Sequence, residues 1–317
     1  MARSPEAGCV VQKSVRAGVA LALLCLLILG VMPILANARP AGSDGLAFAI
    51  WMTFWQLMAA LPLFFYERAT VPRPAVDATP PVSRRRMAAI ALLTGAMFGL
   101  STYMYIVAAE KAGAVGMGIA LQAYPLFAML LEAVFQGKRK SPAELGFTLM
   151  MIAALVYLTT GGTMRLSGLS YWSVFALGIP LLWSIAHLML KRILETMPVS
   201  PNQVTVSRLV ISGVFLLLVQ AALGESGLLV AALSDGAFQR AAIALGIAYY
   251  LELILWFYAM RHIDVSVGSS VTVPAPAVTM LIAVTILGEP VETYQVVSMA
   301  VIAAALYGLL LAGRRRG

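Results

Sequence analysis

Apolar residues in this chain fall into long unbroken runs, not into the alternation of a half-buried strand or the one-sided stripe of a soluble helix. Ten runs stand out, at 17–36, 46–66, 87–109, 114–136, 143–162, 171–190, 201–223, 241–260, 265–287 and 292–312. Each is near the roughly 20 residues that a helix needs to cross the hydrocarbon of a bilayer. The pattern predicts an all-α membrane protein with ten transmembrane helices. The two long connections are a Pro-rich polar piece at 72–81 and a loop at 224–239 with room for a short surface helix.

The runs repeat. Shifting the chain by 151 positions lays 108–138 on 259–289, and Pro125 falls on Pro276, Met129-Leu130 on Met280-Leu281 and Gly137 on Gly288. The same register carries Ala153-Ala154-Leu155 onto Ala304-Ala305-Leu306 without a gap. The chain therefore reads as a cytoplasmic tail (1–16), a first five-helix repeat (17–162), a linker (163–170) and a second five-helix repeat (171–313). Five is odd, so the second repeat enters the membrane upside down relative to the first. Inverted repeats of this kind place a site between the halves near the midplane.

Composition agrees with the pattern: 61% of residues are hydrophobic, 11% are charged and the mean hydropathy is +0.89. A soluble domain carries about 25% charged residues. The net charge of +8 is loop charge here, so no nucleic-acid partner is expected; the partners are the lipid bilayer and a small-molecule solute. With the N-terminus inside, inner segments collect 17 of the 22 Lys and Arg residues and outer ones only Arg39, Lys111, Arg165 and Arg240, with Arg208 inside a span. Both termini are then cytoplasmic. The end of the first run, Leu35-Ala36-Asn37-Ala38, also has the look of a signal-peptidase site. Against that reading, removing the run would unbalance the duplication. Cys9 and Cys25 offer no disulfide framework. The chain has no GxxxxGK[ST], HExxH or GxSxG motif, and neither a metal site nor a cofactor is read from it.

The interrupted helices are the strongest candidates for chemistry. Gln122, Tyr124 and Pro125 break the fourth span, and Thr272, Pro274 and Pro276 break the ninth. Proline removes a donor and clashes with the carbonyl four residues earlier, which would free the carbonyls of Leu121 and Thr272. A kink that serves packing alone is the competing account. Charges inside hydrocarbon are costly and usually functional. Arg208 and Glu252 lie at matching depth, roughly 10 and 12 Å from the inner helix ends at 1.5 Å per residue. They are expected to pair, either as a staple between two helices or as a coupling site. Glu132 and His187 stand near a helix end, where polar side chains snorkel. Mid-span Tyr103, Trp183, Tyr249 and Trp256 suggest an aromatic wall for an amphipathic or aromatic solute, with plain helix packing as the alternative. The site is expected to touch the third, fourth, eighth and ninth helices.

Two five-helix halves, each with a mid-helix proline in its fourth helix, resemble the EamA-type branch of the drug/metabolite transporter superfamily, over 92–158 and 243–309 above all. In that family each fourth helix ends in Gly-Glu; here the second half has Gly288-Glu289 and the first Gly137-Lys138. An arginine often sits in the second helix of each half; Arg208 fills that place in the second half and Gln56 stands there in the first. The resemblance implies a ten-helix secondary transporter, not an enzyme, that exports amino acids or other metabolites by alternating access. Its small four-helix relatives use a glutamate in the first helix. No acidic residue stands in the first span here, so that proton-coupling scheme is not implied. Coupling at Glu252, a nucleotide-sugar or lipid-linked carrier, and a non-transport scaffold or lipid-handling protein stay open at this point.

Overall fold

A computed structural model of the chain describes residues 14–70, 81–136, 142–165, 170–196, 199–224, 226–263, 265–288 and 290–314. Most of the expected cytoplasmic tail, Gly137, Lys138, Glu289 and the centres of both linkers lie outside them. The described backbone is helical: α1 (Val15–Asn37), α2 (Gly45–Thr70), α3 (Pro81–Lys111), α4 (Ala114–Leu121), α5 (Tyr124–Gln136), α6 (Pro142–Thr159), α7 (Tyr171–Thr196), α8 (Pro201–Leu223), α9 (Ser226–Ser234), α10 (Gly236–His262), α11 (Val265–Val271), α12 (Ala275–Ile282) and α13 (Thr293–Arg314). A π-helical turn, Ala283–Leu287, extends α12 to Gly288. Helix α9 occupies the loop where a short surface helix had room.

Local sequence sets the helix starts. Ser200 and Gln203 cap α8 reciprocally with Pro201 in its first turn, which satisfies donors that a helix end otherwise leaves open. Asp235 accepts from Ala237 and Phe238 at the start of α10. Among the described residues, seven stretches are long and apolar enough to cross a membrane: α1, α2, 85–111 of α3, 114–135 spanning α4 and α5, 171–191 of α7, α8 and α10. The other three expected spans appear as shorter apolar segments at 146–159, 275–287 and 293–308. Leu23, Leu24, Leu27, Phe65, Leu92 and Leu218 are exposed on the outer sides of these helices, as they should be where the solvent is lipid.

Helix pairing follows a regular scheme. Helix α1 packs along α10, and α7 along α3; α10 also packs on α2, and α8 on α3. Helices α2 and α8 pack on each other, and so do α6 and α13. Each broken span lies against the first long helix of the other half: α4 and α5 on α7, and α11 and α12 on α1. Helix α1 also packs on α3 and α4.

Two close crossings depend on glycine. A Cβ on Gly246 of α10 would stand 2.8 Å from the Met52 carbonyl oxygen and 3.1 Å from the Gln56 nitrogen, both backbone atoms of α2. A Cβ on Gly95 of α3 would stand 2.5 Å from Ile211 of α8. The two glycines are 151 positions apart, the register of the duplication. Gly246→Ala should destabilise the protein by about 1–3 kcal/mol, because the obstacle is backbone and α2 must move as a whole. Gly227→Ala on α9, where a Cβ meets nothing, is the control. Thermal unfolding in detergent should show a lowered midpoint for the first and none for the second.

Candidate functional site

The two broken spans meet inside the bundle. Gln122 and Ala123 turn between α4 and α5 with their N–H groups on the carbonyls of Ile119 and Ala120, at 3.0 and 3.1 Å. Between α11 and α12 the Thr272 carbonyl accepts from Ala275 N at 3.0 Å, so it is not left open as the proline pattern suggested. Tight turns re-satisfy the backbone that proline disrupts. Side chains finish the work: Ser184 of α7 donates to the Tyr124 carbonyl at 3.1 Å, and Thr279 of α12 donates to the Gly30 carbonyl of α1 at 2.7 Å.

A closed cavity of about 40 Å³ lies where they meet, lined by Leu29, Gly118, Leu121, Gln122, Tyr124, Pro125, Trp183, Thr272, Ala275, Pro276 and Thr279. Six of the residues expected to bind solute are among them: Gln122, Tyr124, Pro125, Trp183, Thr272 and Pro276. Pro274 caps α12 next to the lining. The walls come from α1 and α7 as well as from the broken spans, in place of the third and eighth helices expected from sequence. The reason is the pairing order: α1 and α7 are the long helices against which the broken spans pack.

Aromatic rings surround the cavity in a second layer. Trp256 meets Tyr124 edge-on at 5.9 Å, and Tyr249 meets Trp183 edge-on at 6.5 Å. Tyr105 stacks on Trp183 at 6.2 Å and meets Tyr249 at 5.8 Å. The tyrosine of α3 in this cluster is therefore Tyr105; Tyr103 is half-buried on the side of Arg39, within its electrostatic reach. Trp183 donates to Ser101 Oγ at 3.0 Å. Outside the spans, burial lowers the Arg39 pKa while Asp44 opposes the shift; Arg39 also pairs with Glu110, which Lys111 reaches at 2.7 Å.

His187, read from sequence as a snorkelling residue, is buried and shares a hydrogen bond with the Tyr124 hydroxyl through Nδ1 at 2.8 Å. Its Nε2 has no partner among the described residues. Helix α7 continues to Thr196, which puts His187 more than two turns from the end. Trp183 and His187 are four apart and so share a helix face, the signal that could have placed both. Tyr124→Phe should cost about 1–3 kcal/mol, since it strips a buried imidazole of its hydrogen-bond partner among the described residues. A chemical or thermal unfolding series that finds the variant as stable as the parent would refute this.

The expected Arg208–Glu252 ion pair is not made. Among the described residues neither side chain has an ion-pair partner. The Arg208 guanidinium lies over the Phe98 ring, 3.9 Å from its centroid, and Phe98 in turn meets His187 at 5.0 Å. Matching depth on successive helices was the basis for the pairing, but α8 packs chiefly on α2 and α3 while α10 packs on α1 and α2. Helix α2 packs on both, so neighbours in sequence are not the principal neighbours in the bundle.

Known proteins place this geometry. Residues 170–311 match the EamA-like transporter family. No curated protein matches the sequence. A solved crystal structure superposes with a TM-score of 0.65 at 18% identity, over 94% of this chain and 97% of its own. At that identity the likeness establishes a shared fold along nearly the whole length. Through residues 170–311 the second half of the chain carries an EamA-like transporter module, the mark of a family of membrane transporters of small solutes.

Proposed function

We propose that the protein is a secondary transporter of the inner (plasma) membrane that exports amino acids or related amphipathic and aromatic metabolites by alternating access. The observation that carries this reading is the meeting of two proline-broken helices, one from each half, across a cavity of about 40 Å³. Solute sites measure about 300–1,000 Å³, so a solute is admitted only when the helices that close the cavity separate. Aromatic walls and a Gln122 side chain without a hydrogen bond among the described residues suit an amphipathic solute.

Ten spans in two inverted five-helix repeats are the architecture that goes with it. The helix pairing supports this: exchanging each helix for its counterpart in the other half turns every principal contact into another principal contact. Gly95 and Gly246 make equivalent approaches in the two halves. Both termini are cytoplasmic in this scheme. Two of the four basic residues on the outer side, Arg39 and Lys111, share Glu110, which deepens the charge asymmetry between the faces.

The test is counterflow in liposomes holding the purified protein, with labelled aromatic and aliphatic amino acids, no ATP, and an imposed pH gradient in a parallel arm to ask about proton coupling. Accumulation of at least one amino acid over protein-free liposomes is expected. Flux of none, or flux that needs ATP, would refute the proposal.

A further inference from the structure

A second cavity, separate from the closed one, opens between α3, α7 and α8. Its volume is about 300 Å³, and Met87, Ala91, Thr94, Leu190, Ile193 and Arg208 are among its lining. The described walls are mainly apolar, with Thr94, Gln203 and Ser207 as neutral polar members, and Arg208 contributes the one charge among the described residues that line it. That arginine is 3% exposed. Its Nε and Nη1 atoms are buried with no partner, and no hydrogen bond or ion pair reaches the guanidinium from any described residue. Phe98 holds the guanidinium plane from one face, so the donors are fixed in direction and lack only an acceptor. Thr94 and Ser207 spend their hydroxyl protons on carbonyls of their own helices, which leaves Arg208 and the neutral Gln203 amide as the side-chain donors among the described lining, and of these only Arg208 is charged.

We infer that this crevice binds an amphipathic carboxylate, with the anionic group on Arg208 and the apolar body along α3, α7 and α8. Guanidinium is the side chain best matched to a carboxylate, through two parallel hydrogen bonds, and although Glu252 is within electrostatic reach, a buried guanidinium with no acceptor in contact is costly until one arrives. The lining includes Met87 and Ala88 near the start of α3 and Val199 just ahead of α8, and Arg85 and Arg86, next to Met87 in the chain, are exposed. Positive charge beside a cleft raises the local concentration of anions. The crevice is divided from the closed cavity by Phe98 and His187, whose rings lie 5.0 Å apart, with Tyr124 beyond them on the closed side. An anion at Arg208 would thus wait one ring layer from the site between the broken helices. This assignment rests on the transporter reading above and narrows its solutes to those bearing a carboxylate.

Isothermal calorimetry on the full-length protein in neutral detergent tests it, with 4-phenylbutyrate, 4-phenylbutylamine and 4-phenylbutanol as probes. The carboxylate is expected to bind at least about tenfold more tightly than the amine or the alcohol, a difference of about 1.4 kcal/mol. Arg208→Gln should remove that preference. Ala91→Phe, which fills the crevice from α3 and leaves Arg208 in place, should weaken phenylbutyrate binding by a similar factor, and it decides the matter if Arg208→Gln fails to fold. Equal binding of amine and carboxylate, or unchanged binding in Ala91→Phe, overturns the assignment. So does a result in which nanodiscs of phosphatidylglycerol raise the melting midpoint through Arg208 while phenylbutyrate does not bind, because the anion is then a lipid phosphate. Binding without counterflow would keep the site and remove the transporter reading; counterflow indifferent to Arg208 and Ala91 would do the reverse.

Discussion

Exchanging Glu252 for Gln should leave the protein folded and lower amino-acid counterflow by at least about tenfold. The carboxylate sits within the long helix α10, half-buried, with no hydrogen bond or ion pair from a described side chain. Its helix contributes to the bundle through the backbone at this point: the Glu252 carbonyl accepts from the Cys25 thiol of α1 at 3.5 Å. The first half shows what the fold asks of the position. Ser101, at the same place in the duplication, is fully buried and takes the indole N–H of Trp183, so a small polar group suffices there. A charge kept inside a membrane protein without a structural partner points to solute or proton. A double-mutant cycle with Arg208→Gln should give a coupling free energy below about 3 kcal/mol, since the two charges lie within electrostatic reach but make no ion pair. Breaking a buried ion pair would instead cost about 3–5 kcal/mol. If Glu252→Gln unfolds the protein and Arg208→Gln rescues it, the two charges are a staple and the separation of Arg208 from Glu252 is refuted.

The fate of that pair shows how far sequence reaches. Hydropathy and residue counting speak to position along each helix, not to which helices stand side by side. The order of helices around the bundle is set by which faces interlock, at glycines such as Gly95 and Gly246, and a single sequence does not state which helix fills each groove. The same gap explains the exchange of the third and eighth helices for α1 and α7 around the closed cavity. Features that follow from the chain itself were readable: the helix breaks beside Pro125 and Pro276, the helix in the loop at 224–239, and Gln122, Tyr124, Thr272 and Trp183 as candidates that line one cavity. Helical phase was available but unused. Ser101 and Tyr105 are four apart and share a face with Ala108, whereas Tyr103 points about 200° away from Tyr105 at 100° per residue. That alone favours Tyr105 for the ring cluster with Trp183.

A cross-link between the broken helices should stop transport reversibly. Gly118 of α4 and Thr279 of α12 face each other at the closed cavity: a Cβ on Gly118 would lie 3.6 Å from Thr279 Oγ1 and 4.0 Å from its Cγ2. Disulfides set β-carbons about 3.8 Å apart, so Gly118→Cys with Thr279→Cys can bridge after a small shift. The background needs Cys9→Ser and Cys25→Ala to keep the new pair alone. Thr279→Cys also loses the hydroxyl bond to Gly30, at a cost of about 1 kcal/mol, and the reduced protein controls for it. Oxidised protein should show no counterflow above protein-free liposomes. Dithiothreitol should bring back most of the flux, and each single-cysteine variant should work under oxidising conditions. The bridge adds little bulk to the solute path, two sulfur atoms and the β-carbon at position 118; it forbids α4 and α12 to part. Flux at the parental rate from a sample whose cross-link is complete by mass spectrometry would mean that the two broken helices stay together throughout the cycle, and the opening must then be sought between other elements of the bundle.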